Sequence, residues 1–256
     1  MANIYSFNTT KREQKTIFID TLDAFLKIVN NQFRYDGFIF RGISKSDEKY
    51  PKIIRNNRDY SFEREGKLLE QFEHYHGLYS KVRDSWEFIT LAQHHGLETR
   101  LIDFSDNPFV AAFFSLYNSS SDLHVIYVAN KKDYEEAKKI NYLVRNGTFF
   151  GGFSEMTFAN RIKHIFSLLA EDGKTVILEP NYGNERVFAQ QGLFLIPPFV
   201  EKKNIDEIYE NMPYKIVLDK AASEEILKYL SKNGFDEFHL MPDLSSTCFE
   251  INRITK

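Results

Sequence analysis

The chain has 256 residues, 43% hydrophobic and 27% charged, enough to bury a sizeable core in one domain. Its net charge of -3 gives no overall basic field for nucleic acid, and its one cysteine, Cys248, excludes an internal disulfide framework and a cysteine zinc site of ordinary spacing. No apolar run approaches the roughly 20 residues of a membrane-spanning helix, and MANIYSFNTTKREQK has no signal-like apolar core, so the expectation is a cytoplasmic protein without membrane contact.

Residues 1–15 read as a polar, loosely held N-terminal segment, and 16–256 as one domain, since no low-complexity linker divides them. Leu22, Phe25, Leu26 and Val29 lie at helical spacing behind Asp20 or Thr21 as a cap. After Gly37, Phe38 to Gly42 (FIFRG) reads as a short buried strand. Phe62 to His76 and Asp84 to His95 read as helices, the second stopped by Gly96.

Thr99 to Phe104 (TRLIDF) alternates like a strand, with Thr99, Leu101 and Asp103 on one face and Arg100, Ile102 and Phe104 on the other. Asp106 or Asn107 before Pro108 is a helix start, and Phe109 to Tyr117 is apolar enough to be buried on nearly all sides. Leu123 to Ala129, Thr175 to Leu178, Leu193 to Ile196 and Tyr214 to Leu218 read as strands, and Thr157 to Ala170 as a helix. The run Lys131 to Lys139 reads as a solvated helix face, and Tyr142 to Phe153 as either a mobile loop over a cleft or a hairpin. Ser223 is expected to cap a helix over Ile226, Leu227 and Leu230, closed by Asn233-Gly234; Phe238 to Met241 and a helical stretch from about Asp243 complete the chain. Helices and strands intermix without a βαβ rhythm. The expected class is therefore α+β, a single domain with a mixed central sheet and flanking helices.

Polar residues pressed against an apolar run in LAQHHGLETRLIDFSDNPFVAAFF (Leu91 to Phe114) need partners, because an unpaired buried charge is very costly. One reading pairs Arg100 with Asp103 or Asp106, stapling strand to helix. The other opens a cleft in which His94 and His95, Thr99 and Asp103 face a small molecule together with an arginine from elsewhere. Arg41, before a glycine that allows close backbone approach, offers a guanidinium fork for phosphate or carboxylate, or else braces Asp103. His95 also suits a plain helix C-cap, His94 a surface or structural place, and Arg186 a buried ion pair; Gln190 and Gln191 suit a tight turn before Gly192, or one of them a ligand amide. Adjacent histidines diverge and cannot chelate one ion as an i, i+4 pair does, so no metal is expected.

Phe40-Arg41-Gly42, Gln93 to Phe114 and Arg186 to Phe194 (RVFAQQGLF), with Phe235 to Leu244 (FDEFHLMPDL), resemble the FRG domain over about Gly37 to Leu244. That family occurs in bacteria and their phages and is described without an assigned activity. The order of the same blocks more distantly resembles ADP-ribosyltransferases: a strand ending in Arg-Gly, a central strand before an apolar helix, and a late acidic position before an alternating apolar run.

This second resemblance implies an ADP-ribosyltransferase-like fold and NAD as cofactor. It implies catalytic roles for Arg41, His95, Asp103 and Glu185, and cofactor binding by Arg41, Gly42, Thr99, Arg100, Arg186 and Gln191. Arg41 would grip a phosphate, Thr99 or His95 would position the ribose, and Glu185 or Asp103 would supply the anion. Thr99 and Asp103 stand in place of a Ser-Thr-Ser triplet, and Arg186 stands near the place of the catalytic carboxylate. The implied partners are a nucleotide and a macromolecular acceptor, protein or nucleic acid, in a toxin or antiviral defence setting. The contrasting reading is a non-catalytic interaction module whose Arg/Asp cluster is a buried ion-pair network.

Overall fold

A computed structural model describes residues 3–7, 13–34, 37–57, 60–78, 81–119, 121, 124–136, 156–180, 185–242 and 248. The alternation in the central segments produces strands that join in one sheet: β1 (Asn3–Phe7), β2 (Lys15–Ile19), β3 (Phe38–Ile43), β4 (Ile102–Ser105), β5 (His124–Asn130), β6 (Tyr134–Glu136), β7 (Val176–Glu179), β8 (Gly192–Ile196) and β9 (Tyr214–Leu218). Their order is β2-β9-β5-β3-β4-β8-β7-β1-β6, and only β2 and β9 run parallel. The sheet is therefore mixed, with helices around it: α1 (Leu22–Asn31), α2 (Phe62–His76), α3 (Ser85–His94), α4 (Pro108–Leu116), α5 (Phe158–Asp172), α6 (Glu185–Ala189), α7 (Lys202–Glu210), α8 (Lys220–Lys232) and α9 (Glu237–Leu240).

The registers Phe40–Ser105, Asp103–Phe194 and Phe40–Val128 fix which side chains share a face. On one face, Phe40, Ile126, Val128, Ile216 and Leu218 pack with α1, α4 and α8. On the same face of the other half, Val176, Leu178, Phe194 and Ile196 pack with α2, α3 and α5. The opposite face carries a third core from Ile39, Ile102, Phe104, Ile177, Leu193 and Leu195, closed by Ile53, Ile54 and α7. Two helical groups thus sit side by side on one face, and a seam runs between them.

At that seam the sheet opens. β3 and β4 share a single rung, Phe40 with Ser105, although β3 continues to Ile43 and β4 begins at Ile102. The next residues on the rung side, Gly42 and Asp103, pair with Ile126 and Phe194 but not with each other. α4 presses against β3 here: a Cβ on Gly42 would lie 1.8 Å from the carbonyl oxygen of Ala111 and 2.7 Å from the amide nitrogen of Ser115. The glycine is required by helix backbone lying directly on strand backbone.

Several expectations change. Residues 3–7 form β1 inside the sheet, held by β6 and β7, so that part of the N-terminal segment is not loose. Lys15–Ile19 and Lys202–Glu210 are an unexpected strand and helix. The central strand starts at Ile102 rather than Thr99, and Lys131–Asp133 is a single 3-10 turn leading into β6 rather than a helix face. α8 begins earlier than expected because Asp219, not Ser223, accepts from Ala222 N and caps it. The 142–153 segment and residues 243–247 lie outside the described residues.

A methyl group at Gly42 has no room without moving α4. Gly42→Ala is expected to lower stability by on the order of 3 kcal/mol, read as a lower urea midpoint at unchanged slope. An unchanged midpoint would show that α4 does not rest on β3.

Candidate functional site

The opening between β3 and β4 forms the floor of a cleft of about 520 Å³. α4 and its C-cap Tyr117 supply one wall, with Val110, Ala111 and Phe114, and α3 supplies Thr90, Gln93 and His94 to the other. Arg186, Val187 and Gln190 come from α6 and the turn after it, and the segment after β3 contributes Ser44, Lys45, Glu48, Lys52 and Arg55.

Local sequence explains the placement of each wall. Asn107 accepts from Phe109 N at 2.9 Å and Pro108 occupies the first turn of α4. Ser105 ties that start to α6: its hydroxyl donates to Gln190 O at 2.7 Å and accepts from Asn107 N at 2.9 Å. Asp84 caps α3 through Trp86 N and Glu87 N, and Gly96 turns the chain away with φ of 93°. The polar wall after β3 is folded around one carboxylate: Glu48 Oε2 accepts from Ser44 N at 2.9 Å, Ser44 Oγ at 2.8 Å and Lys45 N at 3.3 Å. Ile53 N then donates to Thr99 O at 3.3 Å, fixing the wall against the lead into β4.

Arg41 crosses the opening. It is 8% exposed, with Nη1 donating to Asp103 O and Nη2 to Glu48 O, each at 2.5 Å. Its Nε is buried without a partner among the described residues. Arg55 stands beside it and donates to Tyr50 O at 3.0 Å through Nη2. Burial, and after it the neighbouring Arg41, holds the Arg55 guanidinium below the ordinary arginine value. Behind Arg41, the Tyr209 phenol donates to Lys49 O at 2.9 Å; burial pushes its pKa up to about 12, while Arg41 pulls the other way.

Asp103 Oδ1 accepts from Gln93 Nε2 at 2.7 Å, and Asp103 Oδ2 lies 3.9 Å from Arg41 Nη1. The buried hydroxyl of Thr99 donates to Gln93 Oε1, which fixes the amide so that its NH2 faces the aspartate. The side chain of Asp103 nonetheless remains 62% exposed. At another point of the lining, burial, aided by a contact with Glu237 of α9, raises the Tyr117 phenol.

The fold brings Arg41, Gly42, Asp103 and Arg186 together in the lining, and leaves five other predicted site residues outside it. Thr99 acts on the cleft only through Gln93. His95 is the exposed C-cap of α3, edge-on to His94 at 4.8 Å between ring centres. Glu185 is exposed at the start of α6, and Gln191 is an exposed turn residue with φ of 46° whose carbonyl accepts from Asp106 N.

Arg100 is sealed inside, 2% exposed, and its partner is neither Asp103 nor Asp106. It bonds Glu65, with Nη2 to Oε2 at 2.5 Å, and also reaches Tyr60 Oη and the carbonyls of Pro197 and Pro198. Phe166 stacks on its guanidinium at 3.9 Å. Asp106 instead pairs with Lys131 at 2.8 Å. The correction has a plain cause: Glu65 lies on α2, and nothing local in either segment announces that meeting.

Sequence reading missed Gln93, Tyr117 and the whole polar wall of Lys45, Glu48, Lys52 and Arg55, and weighed His94 and Gln190 only as alternatives. The available signal was proximity to the three blocks: Gln93, His94, Tyr117 and Gln190 each lie within or beside one. The wall carried none beyond its charge. Among the described residues, no three His, Cys, Asp or Glu side chains are grouped to hold a metal ion, and no helix is long and apolar enough to cross a membrane.

Fold and site together define a protein of mixed helices and strands built on one mixed sheet, with a polar cleft where that sheet opens. Residues 36–123 match the family model of the FRG domain, so the chain carries an FRG domain. That span holds β3, the polar wall, α2, α3, β4 and α4, and ends before Arg186. No curated protein and no solved structure matches the chain.

Removing Glu65 leaves Arg100 charged and unpaired in the core. Glu65→Ala is expected to cost about 3–5 kcal/mol by chemical denaturation, and the double change Glu65→Leu with Arg100→Met to recover most of it. Equal losses in both would mean that the pair is not the source.

Tyr209 gives a pH prediction. Its neutral form is favoured by folding, so the folded value lies above the unfolded one near 10. The associated stability is present below about pH 10 and is lost as pH rises towards 12, by roughly 3 kcal/mol. Tyr209→Phe is expected to flatten the alkaline fall of unfolding free energy; an unchanged slope would place the phenol in contact with water.

Proposed function

We propose that the cleft binds a nucleotide, with NAD as the leading candidate, in an ADP-ribosyltransferase-like arrangement. One observation carries this reading: a chain of net charge -3 gathers Arg41, Lys45, Lys52, Arg55 and Arg186 around one cleft against only two carboxylates, Glu48 and Asp103. Glu48 is occupied by the backbone turn that it caps. The excess charge favours an anion of small-molecule size, and Phe114, Tyr117 and Val110 offer apolar surface for a base.

If the protein turns the nucleotide over, Asp103 is the better source of the anion than Glu185, because it lines the cleft and is held by Gln93. Its carboxylate would steady an oxocarbenium-like centre as nicotinamide leaves. A toxin or defence role, with a protein or nucleic-acid acceptor, follows from the same reading.

The alternative is a non-catalytic interaction module. It is favoured by the sealed Arg100–Glu65 pair and by the two backbone carbonyls that already occupy Arg41.

Titration calorimetry with NAD and ADP-ribose separates the two. The full chain is expected to show saturable binding, weakened about tenfold or more in Arg186→Ala while circular dichroism shows the variant still folded. Incubation with labelled NAD is expected to release nicotinamide, and Asp103→Asn to lower the rate by about 10²-fold or more. No saturable heat with either ligand would overturn the nucleotide reading. Binding without release would leave a nucleotide-binding module.

A further inference from the structure

A guanidinium and a carboxylate that meet ordinarily close to two parallel hydrogen bonds. Asp103 does not close in this way on Arg41. Its Oδ2 stops 3.9 Å from Arg41 Nη1, which donates to the Asp103 backbone oxygen at 2.5 Å. The carboxylate side chain is 62% exposed and lines the cleft, so close packing is not what holds it back.

The restraint comes from one amide on α3. Gln93 Nε2 donates to Asp103 Oδ1 at 2.7 Å. That amide is itself oriented: the buried Thr99 hydroxyl accepts from Leu101 N at 3.3 Å and gives its proton to Gln93 Oε1. A reversed amide would set its oxygen against the carboxylate, acceptor against acceptor. Thr99, Gln93 and Asp103 thus form a directed chain whose charged end stands in the cleft.

We propose that Gln93, oriented by Thr99, is a positioning residue that keeps the Asp103 carboxylate apart from Arg41 and so presents Oδ2 to a ligand. Without the amide, the carboxylate would spend its charge on the neighbouring guanidinium. The proposal rests on the nucleotide reading for the identity of the ligand and for the use made of the anion. The hold on the carboxylate is a property of the chain alone and is tested without ligand.

Gln93→Leu removes the donor. In its crystal structure the carboxylate is expected to close on Arg41 to about 3 Å; a carboxylate still in its parent position would overturn the proposal. Gln93→Glu sets two carboxylates face to face. This variant is expected to melt several degrees below the parent at pH 7. The facing charge raises the folded value of the new carboxyl, so the deficit is absent below about pH 4 and grows as pH rises through that raised value. Adding Asp103→Asn to Gln93→Glu rebuilds the bond with donor and acceptor exchanged, and is expected to bring melting back to within about two degrees of the parent. A deficit that ignores pH, or one that the second change does not relieve, would overturn the pairing.

Release of nicotinamide from labelled NAD separates positioning from folding. Gln93→Leu is expected to lose about tenfold or more of kcat with KM within about twofold. Thr99→Val, at a position outside the cleft lining, is expected to lose kcat in the same sense, and Thr99→Ser, which keeps the hydroxyl, to retain it. Parent-like kcat in Gln93→Leu or Thr99→Val would overturn the positioning role and leave the nucleotide reading intact. A parent chain that neither binds nor cleaves NAD would sink the nucleotide reading, whereas closure on Arg41 in Gln93→Leu and the pH-dependent deficit in Gln93→Glu would still uphold the hold on Asp103.

Discussion

A single hydrogen-bonded rung between Phe40 and Ser105 joins the two halves of the sheet, and the guanidinium of Arg41 spans the opening beyond it. Antiparallel strands that part in mid-sheet leave backbone groups that need partners, because buried peptide groups are rarely left unpaired. Arg41 takes the Asp103 carbonyl from the far side of that opening and the Glu48 carbonyl from the adjoining wall. On the other face Gly42 lets α4 sit on the strand itself. The three residues of the Phe-Arg-Gly run thus have three separate tasks: Phe40 fills a core, Arg41 ties the split halves, and Gly42 admits a helix. The cleft exists because the ladder stops where those tasks meet.

Two arginines in this fold illustrate opposite solutions to burial. Arg100 is closed on all sides by Glu65, Tyr60, two proline carbonyls and the ring of Phe166. Its charge is matched by a carboxylate of equal burial, and nothing is left to recognise a guest. Arg41 is matched chiefly by neutral carbonyls, with the Asp103 carboxylate 3.9 Å from Nη1 and Arg55 beside it. Carbonyl dipoles satisfy hydrogen bonds without cancelling the net charge. The first arrangement holds α2 to the lead of β4; the second keeps a positive field at the cleft.

How much of this was legible in the sequence depended on range. Caps and stops act within a few residues, so Thr21 at α1, Asn107-Pro108 at α4 and Gly96 after α3 were readable from the chain alone. The apolar period likewise announced β3, β5, β8 and β9. β1 and β2 were missed because edge-side strands in a polar segment carry little periodic signal, and Phe18 points its ring into solvent. The meeting of Arg100 with Glu65 was unreadable for another reason. Both residues look like ordinary surface charges in their own segments, and only the packing of α2 against α5, with β4 following, makes them partners. Three blocks of sequence pointed correctly to Arg41, Gly42, Asp103 and Arg186 as neighbours. The wall from Ser44 to Arg55 escaped notice because its order comes from one carboxylate, Glu48, gathering backbone amides around itself.

The bulk charge of the chain and the charge of its cleft have opposite signs, and the distinction has a physical consequence. A net value of -3 repels polyanions at long range, where salt screens most of the interaction anyway. Inside a concavity of about 520 Å³ with both apolar and charged walls, nearby cations act over a few ångströms in a medium poorer in water, so their field is less screened. An extended polyanion would have to approach an acidic surface to reach them, whereas a small anion enters the hollow alone. With Arg41 buried, Arg55 half-buried and Lys45 and Lys52 exposed, the cleft therefore selects by size as well as by sign.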